Sequence, residues 1–137
     1  MKIENLNKLL SDLMVLYQKQ RNYHWNMQGH GFMVIHEFLE KEYDAFADHI
    51  DELAEIIRMK NSFPVSTFKE FLDHTQLKEG DLKLSKDEML KDIKSDYETI
   101  LAYIKSQESD DNNIDDFFVA MTKHLEKSIW LMNSEVI

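Results

Sequence analysis

Apolar residues recur at three- and four-residue intervals through most of the chain, the spacing that places them on one stripe of an α-helix. From about residue 3 to 28 the stripe is Leu6, Leu9, Leu10, Leu13, Leu16 and Tyr17, continued by Gln20 and His24, and Gly29 and Gly31 supply a stop. Phe32, Ile35, Leu39, Tyr43, Phe46, Ile50, Leu53 and Ile57 predict a second long helix over about 32–60, folded back on the first as an antiparallel hairpin. Pro64 ends that helix, and Thr67 with Glu70 forms a capping box for a short helix reaching about residue 74. A second box, Ser85 with Glu88, opens a third long helix through Met89, Ile93, Tyr97, Ile100 and Ile104 that ends near Ser106. After the polar stretch ESDDNN, Asn113 is placed to cap a fourth, carrying Ile114, Phe117, Met121, Leu125, Ile129 and Met132.

Four long helices with a short one in the long second-to-third connection predict an all-α four-helix bundle of ferritin-like connectivity, not a plain up-and-down bundle. At 137 residues and 16.3 kDa the chain reads as a single domain over 1–137. Three Gly and one Pro agree with long helices and few turns, and there is no internal repeat. The absence of cysteine removes disulfides, thiolate ligands and thiol nucleophiles together, so any metal must be held by His and carboxylates. MKIENLNKLLSDLM lacks the basic, apolar, small-residue order of a signal peptide, and no apolar run is long enough to cross a bilayer; a cytoplasmic protein without membrane association is the expectation. The net charge of -10, from 26 acidic against 16 basic residues, favours cations over phosphate backbones or anionic lipid as partners. The same charge also serves plain solubility.

Asp51 and Glu55, in DELAE, lie four residues apart, so both carboxylates leave one face of the second helix about a turn apart. Alone such a pair is most often a solvated surface. His24, near the end of the first helix, and His36, near the start of the second, sit at similar height in a hairpin and can meet one metal, although either could equally be a packed core histidine. On the second helix His36, Glu40, Asp44, Asp48, Asp51 and Glu55 share a sector of about 120°. His36 and Asp51 are nevertheless about 22 Å apart along the axis, too far for one coordination sphere. Two copies crossing antiparallel about a two-fold axis would bring the His end of one to the carboxylate end of the other, making two identical sites. No Glu-x-x-His occurs, which counts against a di-iron site inside the bundle. His30 falls in the turn, while His49, His74 and His124 lack carboxylates at ligand spacing and are assigned surface or packing roles, and the eight Met are core filler.

The stretch YHWNMQGHGFMVIHEFLEKEYDAFADHIDELAE resembles the signature of the Dps family, the DNA-binding proteins from starved cells or mini-ferritins: His-Trp-Asn, a Gly turn, Phe, His-Glu, then Asp-Glu-Leu-Ala-Glu. The likeness extends more weakly over the whole chain, through the Pro after the second helix, the acidic break before the fourth and Trp130. It implies a ferroxidase site made by His24 and His36 of one subunit with Asp51 and Glu55 of its two-fold mate, holding two irons. Glu40 stands where the family commonly has an Asp that helps hold the second metal, and Trp25 is the residue implied to intercept radicals; packing is its plainer role. The resemblance further implies a hollow dodecamer built from two-fold dimers, in which Fe(II) is oxidised by hydrogen peroxide or dioxygen and stored as Fe(III), protecting against oxidative stress. Iron is implied to pass through acidic three-fold pores near the start of the fourth helix, at Asp110, Asp111, Asp115 and above all Asp116, although acids there also favour the helix dipole. DNA-binding members usually carry a mobile Lys/Arg-rich tail. Here a helix starts almost at Met1, NSEVI bears no basic residue and the charge is -10, so direct duplex binding is not expected.

Two other readings stay open on the residues alone. One is a non-catalytic metal-binding or structural assembly on the same fold, and the other a monomeric four-helix metal enzyme.

Overall fold

A computed structural model describes residues 2–135, which fold as α1 (Ile3–Asn26), α2 (Phe32–Met59), α3 (Phe68–His74), α4 (Lys86–Ser106) and α5 (Asn112–Glu135). Side-chain pairs fix the helix directions. His24 stacks on His36, Tyr17 meets Tyr43 and Asn7 reaches the carbonyl of Phe63, so α1 and α2 run antiparallel. Tyr23 and Lys19 meet Asp92 and Asp96 while Asn5 meets Gln107, which sets α4 antiparallel to α1. Glu42 bonds His124, and Lys60 pairs with Asp111, which sets α5 antiparallel to α2. The consecutive long helices α2 and α4 therefore run parallel on a diagonal, and only a long crossover can join them. The all-α bundle with its short extra helix is as the periodicity predicts, and α3 lies along α1 within that crossover.

Two boundaries differ from the sequence expectation, the end of α1 and the start of α5, each for a local reason, while α2 spans the residues expected of it. α1 ends at Asn26 because Met27 turns extended and buries its side chain. The two turn glycines serve the next helix instead: Gly29 and Gly31 have φ of 125° and 85°, and Gly31 is the residue preceding α2. α2 stops before Pro64, where Asn61 takes a left-handed φ of 61° and Ser62 N–H donates back to the Ile57 carbonyl. The expected cap of the last helix, Asn113, lies inside α5; Asp111 does the work, its Oδ1 accepting from the N–H groups of Asn113 and Ile114 at 2.9 and 3.2 Å. Both capping boxes, at Thr67 and Ser85, are present.

The crossover is tied to α1 by buried polar contacts. Asp12, fully buried, accepts hydrogen bonds from Thr75 Oγ1, Gln76 N and Gln76 Nε2 at 2.6–2.8 Å. Asp81 N–H donates to the Tyr23 hydroxyl, and Gly80 passes so close to α1 that a Cβ there would come within 2.7 Å of Asn22 Nδ2. Lys19, buried between α1 and α4, is shared by Asp92 at 3.3 Å and Asp96 at 2.8 Å. Burial outweighs this half-share of an ammonium and pushes the Asp96 carboxyl up to about 6.

A second polar layer crosses the core itself. Glu42 Oε1 accepts from the Tyr97 hydroxyl at 2.5 Å and faces His124 Nε2 at 3.1 Å, while Gln20 Nε2 donates to the Tyr97 oxygen at 2.9 Å. One residue from each long helix thus joins a chain of hydrogen bonds inside an otherwise apolar core. Against the burial that raises it, these donors hold the Glu42 carboxyl below its usual range, so the network stabilises the fold above the ordinary carboxylate pKa and fails as acid protonates it.

Two stability outcomes follow from these networks. Glu42→Leu leaves the Tyr97 hydroxyl and His124 without their acceptor and should cost on the order of 2–3 kcal/mol in denaturant unfolding at neutral pH; an unchanged or raised stability would show that the layer contributes none. Asp96 has the opposite sign. Its folded-state carboxyl binds a proton more tightly than the unfolded one, so between about pH 4 and 6 wild-type stability should fall relative to Asp96→Asn by on the order of 2 kcal/mol. Parallel stability curves for the two proteins over that range would contradict the assignment.

Candidate metal centre

His24 and His36 are brought together by the tight turn after α1, which returns the chain along its own hairpin. His24 Nδ1–H donates to the backbone carbonyl of His36 at 2.7 Å, and His36 Nδ1–H donates to that of His24 at 2.6 Å. This reciprocal pair fixes both tautomers and both ring planes, and it leaves each Nε2 with a free lone pair. The rings stack at 3.6 Å with planes 13° apart, and Phe32 and Tyr43 pack against them. His24 is buried, whereas Glu40 is half exposed one turn beyond His36 with Oε1 at 3.8 Å from His24 Nε2. The Tyr43 phenol beside them is raised by its partial desolvation and by the Glu40 and Asp44 charges.

Asp51 and Glu55 stand exposed at the other end of α2, lining an open acidic depression with Asp48, Glu52 and Asp116. No bond or packing contact joins them to the histidines, as the length of the helix requires. Among the described residues, no three His or carboxylate side chains converge on a single ion position. The chain thus presents two separate groups of candidate ligands: the His24 and His36 imidazoles with Glu40 nearby, and the Asp51–Glu55 pair. Imidazole with carboxylate is a donor set that suits iron in both oxidation states. Trp25, 54 % exposed, follows His24 in sequence but turns outward over Arg21.

The structure separates the acids near the start of α5. Asp111 is committed to capping that helix and to Lys60, and Asp116 shares the depression of Asp51 and Glu55. Asp110 is exposed and Asp115 half-buried. Sequence spacing missed the Glu42–His124 contact and the half-buried His49 beside it, 5.2 Å from His124 between ring centres. The acid and its imidazole lie on different helices, so no spacing rule within one helix detects them; the one available signal was a Glu in the apolar stripe of α2.

Comparison with known proteins bears on these half-sites. The ferritin-like domain family matches residues 3–136. The DNA protection during starvation protein 2 of Bacillus anthracis is 36% identical over 137 residues, covering 96% of this chain and 94% of the relative. The crystal structure of a Dps protein from Bacillus brevis superposes with a TM-score of 0.92 at 30% identity, covering 97% of this chain and 93% of that one. A Dps protein from Vibrio cholerae, described as a member of a broad superfamily of ferritin-like diiron-carboxylate proteins, superposes at 0.91 with 27% identity, covering 97% and 87%. A fold, a hairpin motif and full-length relatives of one kind converge on the same answer: this chain belongs to the Dps family of ferritin-like proteins.

Proposed function

We propose that this protein is a cytoplasmic ferroxidase and iron store that protects cells from oxidative stress, with each site shared by two subunits. The observation that carries the proposal is the split ligand set: two Nε2 lone pairs preset by the reciprocal His24–His36 bonds, and the Asp51–Glu55 pair about 22 Å away along one rigid helix. A two-fold axis that crosses the α2 helices antiparallel joins the halves and makes two equal sites. His24, His36, Asp51 and Glu55 bind the first Fe(II), and Glu40 reaches toward a second with a longer arm than the aspartate common in the family. Two Fe(II) together supply the two electrons that hydrogen peroxide, or dioxygen in successive steps, requires. Hard carboxylates then favour the Fe(III) product, and Trp25 stands at the margin as a radical scavenger.

Assembly into a hollow dodecamer accounts for the apolar side chains the single chain leaves in water. Met33, Val34, Phe63, Phe68 and Trp130 are each more than 60 % exposed, and they occur at several separate places on the surface, as contacts to several neighbours require. Asp116, with Asp110, Asp111 and Asp115 nearby in sequence, is the candidate lining for a cation pore. The net charge of -10 favours Fe(II) over DNA as the partner.

Complementation tests the shared site directly. Given anaerobic Fe(II) and then peroxide, the wild type should develop Fe(III) absorbance, and His24→Ala and Asp51→Ala should each lose it. Unfolded together and refolded as a mixture, the two inactive variants should recover roughly a quarter of wild-type oxidation, because half the dimers are mixed and each mixed dimer keeps one intact site. No recovery from correctly assembled mixtures would place the site within one chain, and a colourless wild type would favour a non-catalytic assembly. A solution mass near that of one 16.3 kDa chain would leave the monomeric enzyme.

A further inference from the structure

Two ties cross the α1–α2 hairpin, and the reciprocal His24–His36 bonds are the outer one. The inner tie is polar and passes through a third helix. Gln20, one turn before His24 on α1, donates from Nε2 to the Tyr97 oxygen at 2.9 Å, and the Tyr97 hydroxyl donates to Glu42 Oε1 on α2 at 2.5 Å. Gln20, Tyr97 and Glu42 are all buried, and the Tyr97 ring stacks on Phe46 with centres 5.4 Å apart. At 1.5 Å per residue, Gln20 lies about 6 Å along α1 from His24, and Glu42 about 9 Å along α2 from His36. In an antiparallel hairpin both displacements run from the tip into the bundle, so Glu40 stands between the two ties.

Glu40 Oε1 is 3.8 Å from His24 Nε2. Two ligands each about 2.1 Å from one ion stand roughly 3.0 Å apart at right angles and about 4.2 Å apart on opposite sides. The gap therefore suits an ion held by both, as long as α2 keeps its height and tilt against α1. The outer tie fixes the tip alone, and a helix pivoting about its end would move Glu40 while leaving His36 in place. Apolar contacts along the hairpin are not directional and oppose such a pivot weakly. Hydrogen bonds between buried partners oppose it strongly, because a displaced donor or acceptor is left unsatisfied.

We propose that Gln20, Tyr97 and Glu42 are positioning residues for the metal centre: they touch no ion, and they hold α2 on α1 so that the Glu40 carboxylate stays within reach of an ion on the two imidazoles. The inference rests on the ferroxidase reading of that centre. His124, 3.1 Å from the same Glu42 oxygen, steadies the acceptor from the side of α5. Partners lying beyond the ligands commonly change metal affinity by about ten-fold or more. The role is geometric, so a side chain that keeps an acceptor oxygen at position 42 preserves it whether or not it carries charge.

The test adds Co(II) to the assembled protein, because the visible band of that ion reports the number and geometry of its ligands. Tyr97→Phe and Glu42→Leu should bind Co(II) on the order of ten-fold more weakly than wild type, with an altered band, and Glu42→Gln should restore both. In Fe(II) oxidation by peroxide, the two weak variants should raise the Fe(II) concentration for half-maximal rate more than they lower the maximal rate. Ile100→Ala removes buried apolar contact one turn along α4 from Tyr97; it should unfold at lower denaturant yet bind Co(II) as wild type does. Circular dichroism and solution mass confirm that each variant is folded and assembled, and Tyr97→Phe, which lacks only a hydroxyl, decides the matter if Glu42→Leu does not fold. Wild-type affinity and band in Tyr97→Phe, equal weakening in Ile100→Ala, or Glu42→Gln behaving like Glu42→Leu would each overturn the positioning role while leaving the ferroxidase reading intact. A wild type that binds no Co(II) and forms no Fe(III) would instead overturn that reading, and the positioning role with it.

Discussion

α2 runs for 28 residues without a break, and a helix that long behaves as a rod. Its chemistry-bearing residues share a face but not a height: His36 and Glu40 stand near one end, Asp51 and Glu55 near the other. Bending could shorten the gap only at a proline, a glycine or a bulge, and α2 contains neither residue and no π turn. The rod therefore keeps the two groups of candidate ligands apart within a single chain. The rest of the fold serves to hold that rod straight, with α1 along one side and α5 along another.

Holding the rod is partly polar work. Glu42, on the core side of α2, reaches both Tyr97 of α4 and His124 of α5, and Gln20 of α1 closes the chain of donors. A wholly apolar core would tolerate small slips of α2 along its neighbours, because apolar contacts are not directional. Hydrogen bonds with buried partners do not tolerate such slips, since each displaced donor or acceptor would be left unsatisfied. The crossover adds fixed points on α1 through Asp12 and Tyr23, and α4 adds another through Lys19; Tyr23 and Lys19 anchor the end of α1 that carries His24. Ligand placement at the hairpin thus depends on polar contacts spread over the whole bundle.

The half-site itself is organised by backbone as much as by side chain. Each imidazole donates to the carbonyl of the other histidine, so neither ring can turn without breaking a bond that also joins the helices. Pre-set rings lose little freedom when a cation arrives, the general advantage of a site built on rigid elements. The Asp51–Glu55 pair is different: both side chains are exposed and, among the described residues, paired with no cation. A rigid group built on imidazoles and an adaptable pair of carboxylates are complementary in the way a shared site would need.

Much of this was legible in the residues. The 3.6-residue period of Leu, Ile and Phe, the capping boxes at Thr67 and Ser85 and the sparse glycines are local signals, so helix number, order and connectivity could be read directly. The spacing of His24, His36, Asp51 and Glu55 along known helices also fixed which ligands a single chain can bring together. Local signals failed where distant segments decide. Asp111 displaced Asn113 as the cap of α5 while also pairing with Lys60, fifty-one residues away. Glu42 looked like one more acid of α2, yet packing turned it inward to His124 and Tyr97 because its angular position faces α5 and not solvent. The order of the aromatic rings beside His24 likewise came from the packing of α1 on α2, for only tertiary structure sets the distances between side chains on different helices.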